Sequence, residues 1–371
     1  MLIRRIIWTN WNQFNIEFNP DSIHDTPEMI RKAGYLVESH VVMTEDGYLL
    51  TLHRIPSGND SLPVLLQHGL SITSAVWLFL GKGKAFAYLL ADQGYDVWLG
   101  NVRGNIYSKA HISLSPSTST FWNFKSQPLH TSIGHSMGAT SFFIMASERP
   151  KIAQMVQMMV GLAPAVFMNY MKSPIQYFFP FIRELKIPMQ LLFHGEFLQS
   201  DIVRFLARNI CNDNIIAKII YFNLLFMLVG DDPKQFSYSL LPVILNHYPT
   251  SASVKTLLHY AQIFESGKFR KYDYGRMKNL FIYNSTEPPN YDLSNITVSV
   301  ALFYDNNWII STEDIKRLCH SLPNVVDMYE VPWSKFNHVD FILAKDASKL
   351  VYDRILKIMR RKNPNNITSV K

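Results

Sequence analysis

Short apolar runs of strand length punctuate this chain, and each ends in a polar or glycine-bearing turn. They are Val64-Leu65-Leu66, Tyr95 to Leu99, Leu129 to Ile133, Met155 to Leu162, Val298 to Tyr304 and Val325 to Val331. Between them the spacing turns helical, over Lys84 to Leu90 and over the apolar stretch that follows Gly138 and closes before Pro150. Continuous apolar strands alternating with helices predict an α/β fold, a mostly parallel sheet with helices on both faces. No internal repeat interrupts this alternation. From Ala165 to Lys271 the pattern changes: this part is rich in Phe and Met and reads as mostly helical, for example Phe205 to Ile210 and Ile215 to Val229, so it is expected to be an insertion. Near the C-terminus Asp346 is the expected cap of a helix whose apolar stripe is Leu350, Val351, Ile355, Ile358 and Met359.

Composition narrows the function classes. The chain has 371 residues, 48% apolar, which is enough for a sizeable core. Basic residues number 36 against 29 acidic, a surplus of +7, and they are scattered without a recognised motif, so no nucleic-acid partner is expected. The basic end, Lys357 to Lys362, reads as a solvated helix terminus. Cys211 and Cys319 are too few for a disulfide framework or a multi-cysteine metal site, although one bridge remains open. The longest apolar run, Ile219 to Val229, is too short for a transmembrane span and contains Asn223. Trp8, Asn10 and Asn12 interrupt the N-terminal residues before an adequate apolar stretch develops, so no signal peptide is visible. Sequons at Asn59, Asn284, Asn295 and Asn366 nevertheless suit a secreted or lysosomal protein.

The chemistry centres on Gly134-His135-Ser136-Met137-Gly138, which fits G-x-S-x-G. In that motif a serine sits on a sharp strand-to-helix turn and flanking glycines let backbone pass closely. With Gly and Ser each near ~7% of residues, a chain of this length shows the bare pattern by chance about a tenth of a time. Here a strand precedes it and an apolar helix follows, so Ser136 is the candidate nucleophile. A serine hydroxyl needs a base to take its proton. His338 lies after the last predicted strand and before the C-terminal helix, where the Ser–acid–His chain order of this fold class puts the base. Two backbone N–H groups are expected to meet the oxyanion: Met137, following the nucleophile, and Leu70, following His68-Gly69 at the end of an earlier strand.

These residues resemble the acid lipases of the α/β-hydrolase superfamily, the gastric and lysosomal acid lipases and insect lipase 3-like proteins, from about Asn19 to Arg361. Carrying the resemblance are Ile30 to Tyr35, Thr44 to Tyr48, Leu52 to Pro56, His68-Gly69-Leu70, Tyr95 to Asn105, Gly134 to Gly138 and Asn337 to Phe341. The resemblance implies a hydrolase core over 19–164 and 272–361, and a helical, lipid-binding cap over 165–271. It also implies Ser136 as nucleophile, His338 as base, Leu70 and Met137 as oxyanion donors, and no metal or organic cofactor. The substrate would be a neutral lipid ester, a triacylglycerol or sterol ester, met at a lipid droplet or micelle surface. Phe178, Phe179, Phe181, Phe222 and Phe226 could line an apolar tunnel.

Two departures stand out. The family's charge-relay aspartate falls at Asn307, just before Trp308, while Asp305 is the possible substitute acid two residues earlier. Between Leu99 and Leu129, where a crossover between parallel strands normally carries a helix, Gly104, Pro116, Pro128 and a Ser/Thr-rich stretch leave no helical periodicity, so that helix is expected to be missing. These departures motivate a rival reading, a catalytically impaired lipid-binding or interaction protein on the same scaffold.

Overall fold

The strands begin with β1 (Glu38–Met43), β2 (Tyr48–Ile55), β3 (Pro63–Gln67), β4 (Asp96–Gly100), β5 (Ala110–His111) and β6 (Ile133–His135). They continue with β7 (Met158–Leu162), β8 (Glu196–Phe197), β9 (Ala252–Ser253), β10 (Ser299–Tyr304) and β11 (Val325–Glu330). The computed structural model describes residues 19–123, 133–184, 187–188, 194–197, 226, 228–230, 232–305 and 308–362. Its main sheet runs β1-β2-β4-β3-β6-β7-β10-β11, with β5 paired to β2. From β4 to β11 every pairing is parallel, as the apolar runs predicted. Strand β6 begins only at Ile133, because the rest of the expected run, 129–132, lies outside the described residues. Strand β7 starts at Met158, not Met155: the N–H groups of Met155 and Val156 donate to Ile152 and Ala153 in the preceding turn.

The apolar pattern left β1, β2 and β5 unannounced. They pair antiparallel, and β1 turns most of its residues to solvent, so polar positions break up any continuous apolar run.

Helix α1 (Phe86–Asp92) joins β3 to β4, and α2 (Met137–Glu148) follows the elbow on the way from β6 to β7. Residues Met137 to Ser147 of α2 are all buried, which is why this helix is apolar around its whole circumference. The next helices, α3 (Leu241–His247) and α4 (Val254–Ser266), belong to the excursion between β7 and β10, which are neighbours in the sheet. The expected helix Phe205 to Ile210 lies outside the described residues, and of Ile215 to Val229 only Phe226, Leu228 and Val229 are described, all helical. Helix α5 (Thr312–Ser321) joins β10 to β11. No described helix is long and apolar enough to cross a membrane.

The C-terminal helix starts where expected, at Ala347: the Asp346 carbonyl accepts from the Leu350 N–H at 2.9 Å, and a π-helical turn, Ser348–Tyr352, leads into α6 (Asp353–Lys362). The Asp346 side chain does not cap it: its carboxylate accepts from Gln235 Nε2 at 3.2 Å, and the Asp346 N–H donates to Gln235 Oε1 at 3.1 Å. A glutamine from the excursion outcompetes the helix end for that side chain. The stripe itself is as expected, with Val351, Ile355 and Met359 buried and Leu350 and Ile358 packed at its margins.

In the connection from β4 to β6, the described residues 101–123 contain β5 and turns but no helix. Phe121 and Trp122 are buried instead, packed with Tyr48 and Leu50 of β2. Trp122 also anchors the excursion, because its carbonyl accepts from Ser253 Oγ at 2.6 Å.

Candidate active site

Ser136 stands between β6 and α2 with φ 54° and ψ −117°. A serine at positive φ is strained, and the surrounding backbone must hold it there. Its N–H donates to the Leu162 carbonyl at 2.9 Å, tying the turn to the end of β7. Both flanking glycines are obligatory for a stated reason. A Cβ on Gly134 would lie 2.5 Å from the Ala139 nitrogen, and one on Gly138 would lie 2.3 Å from the Gln67 carbonyl oxygen. The second contact locks the elbow against the end of β3, which brings Gly69 close: a Cβ there would sit 3.2 Å from Ser136 Cβ.

His338 arrives from the loop after β11. Asn337 shapes that loop: its N–H donates to Asp340 Oδ2 at 2.8 Å, its Oδ1 accepts from Val339 N–H at 3.0 Å, and its Nδ2 donates to the Gly230 carbonyl at 3.3 Å. His135, the residue before the serine, donates from Nε2 to the His338 carbonyl at 2.8 Å, and the two rings lie 4.9 Å apart. The fold therefore brings the elbow and the predicted base together from residues far apart in sequence. Burial holds the His338 imidazole well below its ordinary titration range, with His135 adding to the effect, so the ring is neutral.

The acid is the weak point. Asn307 lies outside the described residues. Asp305 follows β10, is buried, and among the described residues neither carboxylate oxygen reaches a hydrogen-bond partner on another residue. His338 Nδ1 is likewise buried without a partner among them. Burial, with Glu330 adding to it, pushes the Asp305 carboxyl up to about 8, so it keeps its proton at neutral pH. Asp340 is also pushed up to about 8, by burial first and then by the neighbouring Asp232 and Asp305.

This pair gives a stability prediction. Unfolded aspartates titrate near ~4, so between about pH 4 and pH 8 the native state holds more protons than the unfolded chain. These groups thus contribute a stability that is complete at the acid end of that window and is lost as pH rises through it, on the order of a few kcal/mol per group. Asp305→Asn should match the wild type in melting temperature near pH 4 and exceed it increasingly toward pH 8. A difference that does not change with pH would count against it.

The predicted oxyanion donors sit at the mouth of the elbow. Met137 is the first residue of α2, where N–H groups lack intrahelical acceptors. Leu70 follows Gly69 and is half-buried. Among the described residues, no hydrogen bond uses the N–H of Leu70 or Met137.

Beneath this loop lies a buried polar network that the sequence reading did not assign to the site. His68, Asn101, Asn105, Ser74 and His53 are all buried and linked by hydrogen bonds, including Asn105 Nδ2 to Asn101 Oδ1 at 2.9 Å and His53 Nδ1 with Ser74 Oγ at 2.9 Å. The signal for it was the polar run Asn101-Val102-Arg103-Gly104-Asn105 directly after an apolar strand.

Among the described residues, no group of three or more His, Cys, Asp or Glu side chains is placed to hold a metal ion. Cys319 is half-buried with a free thiol, and Cys211 lies outside the described residues. The five aromatic candidates divide. Phe178 and Phe181 are 54% and 63% exposed, whereas Phe179 packs on Phe264 and Phe226 on Phe236. Phe222 lies outside the described residues.

A parallel sheet in this order, with a strained serine between strand and helix and a histidine loop returning to it, defines an α/β-hydrolase. Family models agree: a partial alpha/beta-hydrolase lipase region matches residues 26–81, and the alpha/beta hydrolase fold matches residues 63–194. Over 369 residues the chain is 37% identical to Lipase 1 of Drosophila melanogaster, covering 91% of this chain and 80% of that protein. It is similarly 37% identical to Lipase 3 of Drosophila melanogaster, covering 91% and 93%. Against the gastric triacylglycerol lipase of Homo sapiens it is 33% identical, covering 92% of each. The chain belongs to the acid lipase family of the α/β-hydrolase superfamily.

Proposed function

We propose that this protein is a serine ester hydrolase acting on neutral lipid esters, triacylglycerols or sterol esters. Ser136 Oγ attacks the ester carbonyl carbon as the His338 imidazole takes its proton. The N–H groups of Leu70 and Met137 stabilise the resulting oxyanion. The imidazolium then gives its proton to the departing alcohol, leaving the acyl group on Ser136. Water, deprotonated by His338, attacks this acyl-enzyme, and the imidazolium returns the proton to Ser136 Oγ as the acyl–oxygen bond breaks and the fatty acid leaves. The observation that carries the proposal is the strained elbow, with the His338 backbone hydrogen-bonded to the residue beside the serine. Burial lowers the His338 imidazole below its ordinary range, so the ring is neutral and free to take the proton.

The excursion 165–271 would be the lipid-binding cap, and the exposed Phe178 and Phe181 on it would meet a droplet or micelle surface. The name of the human relative, a triacylglycerol lipase, supports that substrate class. Burying each methylene is worth about 0.8 kcal/mol, so kcat/KM of the purified protein should climb from acetate to decanoate esters. A flat series would remove the lipid assignment.

A secreted or lysosomal location is supported by the sequons: Asn59, Asn284 and Asn295 are all exposed, and Asn366 lies outside the described residues. Protein produced in eukaryotic cells should shift on peptide-N-glycosidase treatment. No shift would argue against passage through the secretory route.

The rival, a lipid-binding scaffold without turnover, is motivated by Asn307 at the family's acid position and by the crossover helix missing among the described residues 101–123, and is supported by the buried Asp305, whose carboxylate bonds to no other described residue. A cap that binds fatty acid while Ser136 resists every acyl donor would favour it.

A further inference from the structure

Resting on the serine-hydrolase reading, we infer that His68 is a positioning residue that aims the Leu70 N–H at the developing oxyanion, by holding the carbonyl of the same peptide group from behind. Its imidazole touches three partners. Nδ1 lies 2.7 Å from the Gly69 carbonyl oxygen, and Nε2 lies 3.2 Å from the Val102 nitrogen and 3.1 Å from Asn105 Nδ2. The chemistry of those partners assigns the tautomer. The Val102 N–H and the Asn105 amide nitrogen are donors only, so Nε2 must be the bare nitrogen that accepts, and Nδ1 carries the hydrogen. That hydrogen has one acceptor within reach, the Gly69 oxygen.

The rest of the network keeps Nε2 committed. Asn105 Oδ1 is occupied by the N–H groups of Tyr107 and Ser108 at 3.0 and 3.1 Å, which fixes the amide with its nitrogen toward His68. Asn101 Oδ1 accepts from that same nitrogen and from the Ser74 N–H at 3.0 Å, so the chain of bonds ends on backbone. His68 is completely buried, and burial holds its ring down to about 4, leaving it neutral through the working range. Its Nδ1 hydrogen is therefore present at every relevant pH.

The consequence follows from peptide geometry. In a planar trans peptide, C=O and N–H point in opposite directions. A donor fixed on the Gly69 oxygen therefore fixes the direction of the Leu70 N–H, which points away from His68. The elbow adjoins this peptide, since a Cβ on Gly69 would touch Ser136 Cβ and His135 Nδ1 at 3.2 Å each, and we place the elbow on the side that the N–H faces. Glycine's own freedom at position 69 would otherwise let this peptide flip and present its carbonyl to the substrate. The clamp acts on the oxyanion only, so it belongs to the transition state and not to ground-state binding.

Two substitutions separate positioning from mere packing. In His68→Asn the amide nitrogen replaces Nδ1 and keeps the bond to Gly69, but the acceptor for Val102 and Asn105 is lost. In His68→Gln the side-chain oxygen reaches the Nε2 position and keeps those partners, but the donor to Gly69 is lost. The readouts are the rate of Ser136 labelling by a fluorophosphonate and the split of ester kinetics into kcat and KM, with folding checked by circular dichroism. Since losing a whole oxyanion donor costs ~10²–10³, His68→Leu and His68→Gln should label and turn over about 10–10²-fold more slowly at little-changed KM, and His68→Asn should recover most of that loss. Recovery by Gln and not by Asn, or a folded His68→Leu that labels at the wild-type rate, would overturn the clamp.

Histidine 15N resonance of the wild type, with the His68 signals assigned by loss in a variant, supplies a test free of turnover. It should show protonated Nδ1 and bare Nε2 without titration from pH 5 to 8, and the opposite tautomer would overturn the clamp. Failure of the parent reading looks different: a wild type that takes no label at Ser136 overturns the hydrolase assignment, and the catalytic role of His68 with it, even if the tautomer is as inferred.

Discussion

Asn307→Asp should raise ester turnover, by up to ~10⁴-fold, the cost of the corresponding Asp-to-Asn change in a serine-protease triad. An aspartate beside the base fixes the imidazole tautomer and stabilises the imidazolium. Asparagine can hydrogen-bond but carries no charge. Among the described residues nothing replaces that charge: His338 Nδ1 is buried without a partner there, and Asp305 holds its proton up to about 8. The wild-type chain is thus expected to be a feeble catalyst near neutral pH. The assay uses one soluble ester, with Asp305→Ala as the companion variant and circular dichroism as the control for folding. If the wild type proves robust and Asp305→Ala abolishes it, Asp305 is the working acid and the electrostatic deficit does not exist. If Asn307→Asp stays folded yet brings no gain, the cause lies in elbow placement, where a displacement of even ~1 Å can cost ~10²-fold. The connection 101–123, with no helix among its described residues, then becomes the place to look.

Ser136→Ala should abolish fluorophosphonate labelling and reduce turnover to background; in a comparable serine hydrolase, deleting the nucleophile costs ~10⁶. Fold should survive, because alanine meets the same strain at φ 54° as serine does and leaves the Leu162 bond, made by backbone, in place. Label persisting in Ser136→Ala would show that a different residue reacts. Scanning Leu70 or Met137 to alanine should look mild by comparison, since what each offers the oxyanion is a main-chain N–H that no side-chain substitution removes.

The elements legible in the sequence were those whose environment is regular along their length. Central parallel strands read as apolar runs, and Val64 to Leu66 and Val298 to Tyr304 fell on β3 and β10. Strand β11, at the sheet edge, alternates half-buried and exposed residues and was legible by that alternation. Strands β1 and β2 escaped because one side of the antiparallel edge faces water and mixes polar with apolar residues. Asp346 stands at the helix start, but its side chain is used elsewhere, for a related reason. A cap is a local pattern, but the glutamine that captures this carboxylate comes from position 235, in another part of the fold.

The serine elbow was determined by sequence alone, because strand, tight turn and helix are contiguous and the two glycines are demanded by backbone contacts that any chain with this turn must make. So was the parallel core, whose apolar strands carry their own signal. Only the tertiary structure decided what surrounds Ser136. His338 is brought against His135, the residue before the serine, through a loop braced by Asn337 and Asp340, His68 is locked behind the Gly69 carbonyl by Asn105, and Asp305 is shut away from solvent with its proton on. Those states depend on desolvation and on partners distant in the chain, and neither is written in the residues next to them.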